Sequence, residues 1–314
     1  MPTFPFLTLL ISGGHTLIVL VLGPQSFRIL ASTVDEAVGA VIDAAARSVR
    51  VKWDGLAPGA ALEVLARDGL AGVQEQDIPV NQRPNLPFHG ELKFSFAGLH
   101  SWVDRYVLTH GQPLVPGQEG EQSDLIWQDP NTRKLHKTLY LSNPHRVAVA
   151  RVFQDAAFRM LEDKVVLALK HCDPERYKLP KTQRGRTEAL GLGTVPIKHV
   201  VVSGGVGSNL TFRARYVSNP LPSPKGFSRL CRLQSALQTA FPDRDIKLIC
   251  PPPELCTGTC SRIPKCPIPS NLFPDNAAMI GWASMHRFLA GESDDYSIRH
   301  IKKWSIEQLS DLVA

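Results

Sequence analysis

The chain has 314 residues, 43% hydrophobic and 20% charged, with a formal net charge of +6. This is ordinary globular composition, long enough to bury a large core in one bilobal unit or two domains, and the positive surplus fits a polyanionic partner without requiring one. The six cysteines, Cys172, Cys231, Cys250, Cys256, Cys260 and Cys266, form no C-x-x-C pair; this argues against a structural zinc site and fits reduced thiols in an intracellular protein.

In chain order, residues Phe4 to Leu22 are apolar enough to suggest a membrane span, but Ser12-Gly13-Gly14-His15 interrupts them at the centre. Hydrocarbon would penalise that interruption, and no basic segment precedes it as in a secretory signal. The stretch reads instead as two buried strands joined by a turn whose glycines leave backbone N–H groups open to an anionic group. Val34 to Val51 carries apolar residues at helical spacing, with Asp35 and Glu36 expected in its first turn and Asp43 in its middle, where a lone acid is ordinarily solvated. A short helix is expected over Ala60 to Ala66, after Pro58-Gly59, then a polar loop from Val73 to Pro87. A strand over Leu92 to Phe96 and a helix over Leu99 to Leu108 follow.

Thr109 to Pro144, rich in Gly, Gln, Pro and charge, reads as a surface insertion, and His145 to Lys170 as a strong helix. After a basic loop, Lys178 to Thr194, comes a second strand and glycine turn. The strand is His199 to Val202, the turn Ser203 to Asn209, and a helix then runs through Arg213 and Tyr216. A third strand, Ile246 to Cys250, enters Pro251-Pro252-Pro253, and Asp275 to Leu289 reads as a helix. Gly204-Gly205-Val206-Gly207 is not a G-x-G-x-x-G fingerprint, and either glycine turn alone would be an ordinary tight turn. Two in one chain point to a two-lobed nucleotide cleft.

These residues resemble a family, the TsaD-type tRNA N6-adenosine threonylcarbamoyltransferases. Leu10-Ile11-Ser12-Gly13-Gly14-His15-Thr16 carries the resemblance, preceded by Phe4-Pro5-Phe6-Leu7. Asp35-Glu36-Ala37-Val38-Gly39 with Asp43 is similar to D-D-A-x-G-E-x-x-D-K, Pro58-Gly59 to P-G-G, and Phe94-Ser95-Phe96-Ala97-Gly98-Leu99 to F-S-F-S-G-L-K. Ser203 to Asn209 with Arg213 is similar to G-G-V-x-x-N-x-x-L-R. Pro251 to Thr257, with the later Asp275-Asn276-Ala277-Ala278-Met279-Ile280-Gly281-Trp282, is similar to P-P-x-x-L-C-T-D-N-A-A-M-I-A.

The resemblance implies an α/β, bilobal, actin-like or sugar-kinase-like (ASKHA) fold. It implies transfer of a threonylcarbamoyl group from threonylcarbamoyl-adenylate to N6 of adenosine 37 in ANN-decoding tRNAs. Carried over by position, Leu10, Ile11, Ser12, Gly13 and Gly14 would contact the adenylate, while Asp43, Gly59 and Asn209 would bind its ribose and base. Asp275 would be a ligand of one divalent metal ion per subunit. His15, in S-G-G-H-T, is similar to the mitochondrial and bacterial members, and the long insertions favour the mitochondrial branch. A homodimer acting on tRNA, with no membrane association, is implied as well.

The sequence also departs from the family. The H-x-x-x-H metal motif is expected upstream of the first turn, and no two of the ten histidines stand four apart. The expectation is therefore a chain truncated at its N-terminus. Its first lobe is incomplete, over about 1–90, and its second runs over about 91–286, with insertions near 109–144 and 258–274 and a tail over 287–314. Ala40 and Ala44 replace the acid and lysine of the family motif. The 17 residues from Gly258 to Pro274 separate Thr257 from Asp275, as an inserted loop or a retained short intron would.

The alternative is a non-catalytic nucleotide- or tRNA-binding protein of the same fold. A metallopeptidase is excluded by the lack of H-E-x-x-H. Arg146, Arg151, Arg159, Arg213, Arg215, Lys225, Arg229 and Arg232 are candidates for tRNA phosphates or, equally, ordinary solvated charges.

Overall fold

The computed structural model describes residues 2–69, 78–113, 139–173, 196–214, 232–251, 285, 288–291 and 305–308. The chain opens with three antiparallel strands, β1 (Phe6–Ile11), β2 (Thr16–Gly23) and β3 (Ser26–Thr33). Two helices follow, α1 (Val38–Ser48) and α2 (Pro58–Asp68), then a short strand β4 (Lys93–Phe94) and α3 (Ala97–His110). A two-residue ribbon, β5 (Gln112–Pro113) against β6 (Leu139–Tyr140), leads to the 29-residue α4 (Asn143–His171). Then come β7 (His199–Ser203), α5 (Leu210–Ala214), α6 (Arg232–Ala240) and β8 (Lys247–Ile249).

Six of these strands form one mixed sheet in the order β4-β3-β2-β1-β7-β8. β1 pairs in parallel with β7, from Leu7↔Val200 to Leu10↔Ser203, and β7 in parallel with β8. β3 pairs in parallel with β4. Only β2 therefore opposes the common direction. Alternation drives β1 into the sheet: Leu7, Leu9 and Ile11 are buried, each contributing about 1.5–3 kcal/mol. Strands from both sides of residue 90 lie in this one sheet. A single core joins Leu7, Leu9 and Ile18 to Val41 and Phe94, to Phe153 and Phe158 on α4, and on to Ile246. The β3–β4 and β1–β7 ladders each join strands from the two sides of residue 90.

Several elements differ from the sequence expectation. β3 is absent from it, because Ser26, Arg28, Ser32 and Thr33 break the apolar pattern, and an irregularity between Ile18 and Val19 shifts the register. α1 starts at Val38, so Asp35 and Glu36 precede it and its first turn holds no acid. In place of a side-chain cap, Thr16 Oγ1 accepts from the Val38 N–H at 2.9 Å and the Ser12 carbonyl from the Gly39 N–H at 3.2 Å. α3 runs on to His110, and β5 and β6 close the base of the expected insertion, whose residues 114–138 lie outside the described set. The segment 258–274 and, of the helix expected over Asp275 to Leu289, residues 275–284, 286 and 287 also lie outside it. Part of the expected tail returns to the sheet: Glu307 Oε1 accepts the Ile29 N–H of β3 at 2.7 Å. No described helix is long and apolar enough to cross a membrane.

Candidate functional site

Because β1, β3, β4, β7 and β8 share one direction, their carboxyl ends share one edge of the sheet. Ser12–His15 leaves β1 there, Asp35–Gly39 leaves β3, Ser95–Gly98 leaves β4, Gly204–Asn209 leaves β7 and Pro251 follows β8. Motifs scattered over 240 residues of sequence thus converge on a single edge. Ligands of open α/β sheets bind at carboxyl ends where adjacent parallel strands lead to different connections. β1 and β7 are such a pair, one entering a hairpin and the other a helix.

The first turn is built by Ser12. Its N–H donates to the His15 carbonyl at 2.8 Å, while its Oγ accepts from the N–H groups of His15 at 3.0 Å and Gly14 at 3.3 Å. Gly13 and Gly14 face open space, since a Cβ on either would meet nothing within 4 Å. Gly39 is different: a Cβ there would stand 2.6 Å from the Ser12 carbonyl oxygen, so glycine lets the amino end of α1 seat directly on the turn. The α1 dipole thereby points its positive end at this edge. The second turn presses against the first strand. Gly204 has φ +99, and its Cβ would lie 2.3 Å from the Ile11 carbonyl oxygen.

Asp43 stands one helical turn beyond Gly39 and accepts the Gly59 N–H at 2.8 Å. Burial pushes its carboxyl pKa up, only partly offset by that N–H and by Arg47. A Cβ on Gly59 would meet Asp43 Oδ1 at 3.0 Å and Ile42 Cγ2 at 2.9 Å, so the glycine sets how closely α2 approaches α1. One turn further along α2, the buried Glu63 reaches the second glycine turn, its Oε1 accepting the Leu210 N–H at 2.7 Å. The neighbouring Asn209, also buried, caps α5 through its Oδ1, which accepts the Phe212 N–H at 2.8 Å. Arg213 Nε donates to the Gly207 carbonyl at 2.7 Å, and its second nitrogen to the Pro251 carbonyl.

Residues 1–265 match the TsaD family, the tRNA N6-adenosine threonylcarbamoyltransferases. The chain belongs to this family. It is 26% identical over 309 residues to a mitochondrial tRNA N6-adenosine threonylcarbamoyltransferase of Schizosaccharomyces pombe, covering 98% of this chain and 55% of the relative. It is 28% identical to a probable mitochondrial one of Arabidopsis thaliana, over 93% of this chain and 44% of the relative. It is 27% identical to the enzyme of that name in Granulibacter bethesdensis, over 97% and 57%. The chain spans about half the length of the curated relatives it matches.

Of the residues to which resemblance to the TsaD family directs attention, Leu10, Ile11, Ser12, Gly13 and Gly14 form the end of β1 and its turn. Asp43 and Gly59 are in direct contact, and Glu63 on the same α2 is bonded to Leu210, the residue that follows Asn209. Asp275 lies outside the described residues. Among the described residues no three His, Cys, Asp or Glu side chains converge, so these alone do not supply the donor set a metal requires.

Glu63 was not singled out by sequence reasoning. The available signal was an acid placed among Ala60, Ala61, Leu62 and Ala66, all buried on the same helix. Several candidate phosphate-binding arginines prove to be internal ties. Arg146 donates to the carbonyls of Val49 and Arg50 and is buried enough to bring its pKa down to about 10. Arg151 Nε donates to the Ala66 carbonyl, Arg159 pairs with Asp155, and Arg213 holds the second turn. Arg215, Lys225 and Arg229 lie outside the described residues.

Proposed function

We propose that this chain forms the adenylate-binding part of a t6A-forming enzyme. The reaction is transfer of threonylcarbamoyl from threonylcarbamoyl-adenylate to N6 of adenosine 37 in ANN-decoding tRNAs. In this reading the N6 amine attacks the carbamoyl carbonyl carbon and a C–N bond forms. The bond from that carbon to the adenylate phosphate oxygen breaks, AMP leaves, and the N6 proton passes to solvent. The observation that carries the proposal is the pair of glycine turns side by side at the carboxyl ends of β1 and β7, with Asp43 bonded to Gly59 of α2 and Glu63 of α2 bonded to Leu210 beside Asn209.

The assignment of roles follows the chemistry of each group. The open Gly13 and Gly14 admit an anion to the first turn, beneath the amino end of α1. The half-buried Asp43 carboxylate suits ribose hydroxyls, and Gly59 keeps the wall beside it free of a side chain. Asn209 supplies an amide beside the base. Asp275 would be a ligand of a single divalent metal ion, by its place in the family motif. A bilobal actin-like arrangement, a mitochondrial location and a homodimer belong to the same proposal, supported by family membership and by the names of the relatives.

The test incubates the chain with threonylcarbamoyl-adenylate and an unmodified ANN-decoding tRNA transcript, followed by nucleoside digestion and mass spectrometry. Calorimetric titration with AMP runs in parallel. The expected results are saturable AMP binding that Asp43→Asn weakens, and t6A in the digest only when the H-x-x-x-H motif of the family is restored to the chain. A chain that neither binds AMP nor modifies tRNA overturns the proposal.

A further inference from the structure

The connection between β3 and α1 is held at both of its ends, and the two ends lead to different places. At one end the Asp35 carboxylate collects four donors. Oδ1 accepts from the N–H groups of Glu36 at 2.7 Å and Phe96 at 2.9 Å. Oδ2 accepts from Ser95 Oγ at 2.5 Å and from the Ala97 N–H at 3.4 Å. Asp35 thus serves as the side-chain cap of α3 while belonging to the approach to α1. The Val34 N–H, donating to the Phe94 carbonyl at 3.0 Å, fixes the same crossing from the backbone side. At the other end, three and four residues on, the N–H groups of Val38 and Gly39 are bound by Thr16 Oγ1 and the Ser12 carbonyl. Thr33 Oγ1 also donates to the Glu36 carbonyl at 2.8 Å, which leaves the link little slack.

From this geometry we infer that Asp35 is a positioning residue for the candidate site, holding α1 seated on the Ser12–His15 turn by anchoring its approach to the Ser95–Ala97 segment. The argument is mechanical. α1 has no side-chain cap of its own, and its seat on the turn consists of two hydrogen bonds and the close approach at Gly39. Asp43 rides on the same helix one turn later, so a tilt of α1 would move the turn and Asp43 together. Among the described residues, the Asp35 carboxylate ties this link to the neighbouring strand–helix unit through charge-assisted bonds, which are the strong ones. Donation from Ser95, Phe96, Glu36 and Ala97 outweighs burial and holds the acid below the usual carboxylate range, so the charged acceptor is present at neutral pH.

The effect on ligand binding rests on the adenylate reading above, whereas the effect on α1 does not, and the experiment separates them. Amide hydrogen exchange is measured on the 314-residue chain, as wild type, Asp35→Asn, Ser95→Ala and the double variant, alongside AMP titration and thermal melting. In Asp35→Asn, exchange at Val38 and Gly39 should accelerate about tenfold relative to amides in the middle of α4, and AMP affinity should fall by about tenfold. Ser95→Ala removes one donor only; it should show the same pattern more weakly, and the double variant should match Asp35→Asn. A lowered melting point with unchanged exchange at Val38 and Gly39 would show that Asp35 merely caps α3, and would overturn the inference. So would a double variant whose effect is the product of the two singles. Faster exchange at Val38 and Gly39 in a wild-type background that does not bind AMP sustains the role of Asp35 and removes the adenylate reading.

Discussion

The carboxylate of Asp43 accepts a hydrogen bond from the backbone N–H of Gly59, joining the middle of α1 to the first turn of α2 at 2.8 Å. One bond thereby connects two residues sixteen apart, each of which the family resemblance marks for the same ligand. An acid half-buried in this way disfavours its own charge. Asp43→Asn keeps an acceptor for Gly59 and removes that penalty. The variant should match or slightly exceed wild type in stability at neutral pH, by less than about 1 kcal/mol once solvent screening is counted, while losing AMP affinity. The raised pKa fixes the sign. Stability linked to the protonated form is complete below the ordinary value of 3.8 and lost as pH rises through the folded value. The difference between variant and wild type should therefore vanish in acid and grow toward neutral pH in thermal melts.

The glycines divide into two classes. Gly204→Ala puts a Cβ against the Ile11 carbonyl at a positive φ, and Gly39→Ala puts one against the Ser12 carbonyl. Both obstacles are backbone. Each substitution should destabilise by about 2–4 kcal/mol in urea unfolding. Gly13→Ala and Gly14→Ala meet nothing and should leave stability nearly unchanged, yet weaken AMP binding by filling the space the turn leaves open. Equal destabilisation in all four would contradict this division.

Glu63→Ala removes the acceptor of the partly buried Leu210 N–H and should cost about 1–2 kcal/mol. Glu63→Gln retains an oxygen at the acceptor position and should recover most of that loss. A comparison of the two by chemical denaturation separates the hydrogen bond from the charge.

The Asp35 cluster contributes its stability above the ordinary carboxylate value and loses it as pH falls through the depressed folded value. Wild type should therefore carry an acid-side loss of melting temperature that is diminished in Asp35→Asn, and the two curves should approach each other at the acid end. Parallel curves across the whole range would show that the charge of Asp35 is not what the four donors stabilise.

Arg146 gives a control for nucleic-acid binding. Its donors serve Val49 and Arg50, so Arg146→Ala should lower thermal stability by freeing two carbonyls, and should leave the salt slope of tRNA affinity where it was. A reduced slope would place the guanidinium on a phosphate instead.

Composition and local pattern were enough to identify the first turn as a turn, the strand run before it, the long helix carrying Phe153 and Phe158, and the family itself. Each depends on residues adjacent in sequence: apolar periodicity, glycine conformational freedom and ordered motifs. β3 was hidden because its two buried residues, Leu30 and Ala31, are adjacent rather than alternating, and a register irregularity that only its partner strand reveals breaks the period. The first turn of α1 was misplaced for a related reason. Asp35 looks like a helix-start acid by spacing, but it serves the start of α3, sixty-two residues away at Ala97. Glu63 and the inward-tied arginines were legible as charges, while their partners are backbone groups of distant segments, which no local pattern encodes. The sequence by itself determined the family and the turns that carry its motifs; the parallel pairing of β1 with β7 decided that the two glycine turns meet at one edge, because only the direction and adjacency of strands bring their carboxyl ends together.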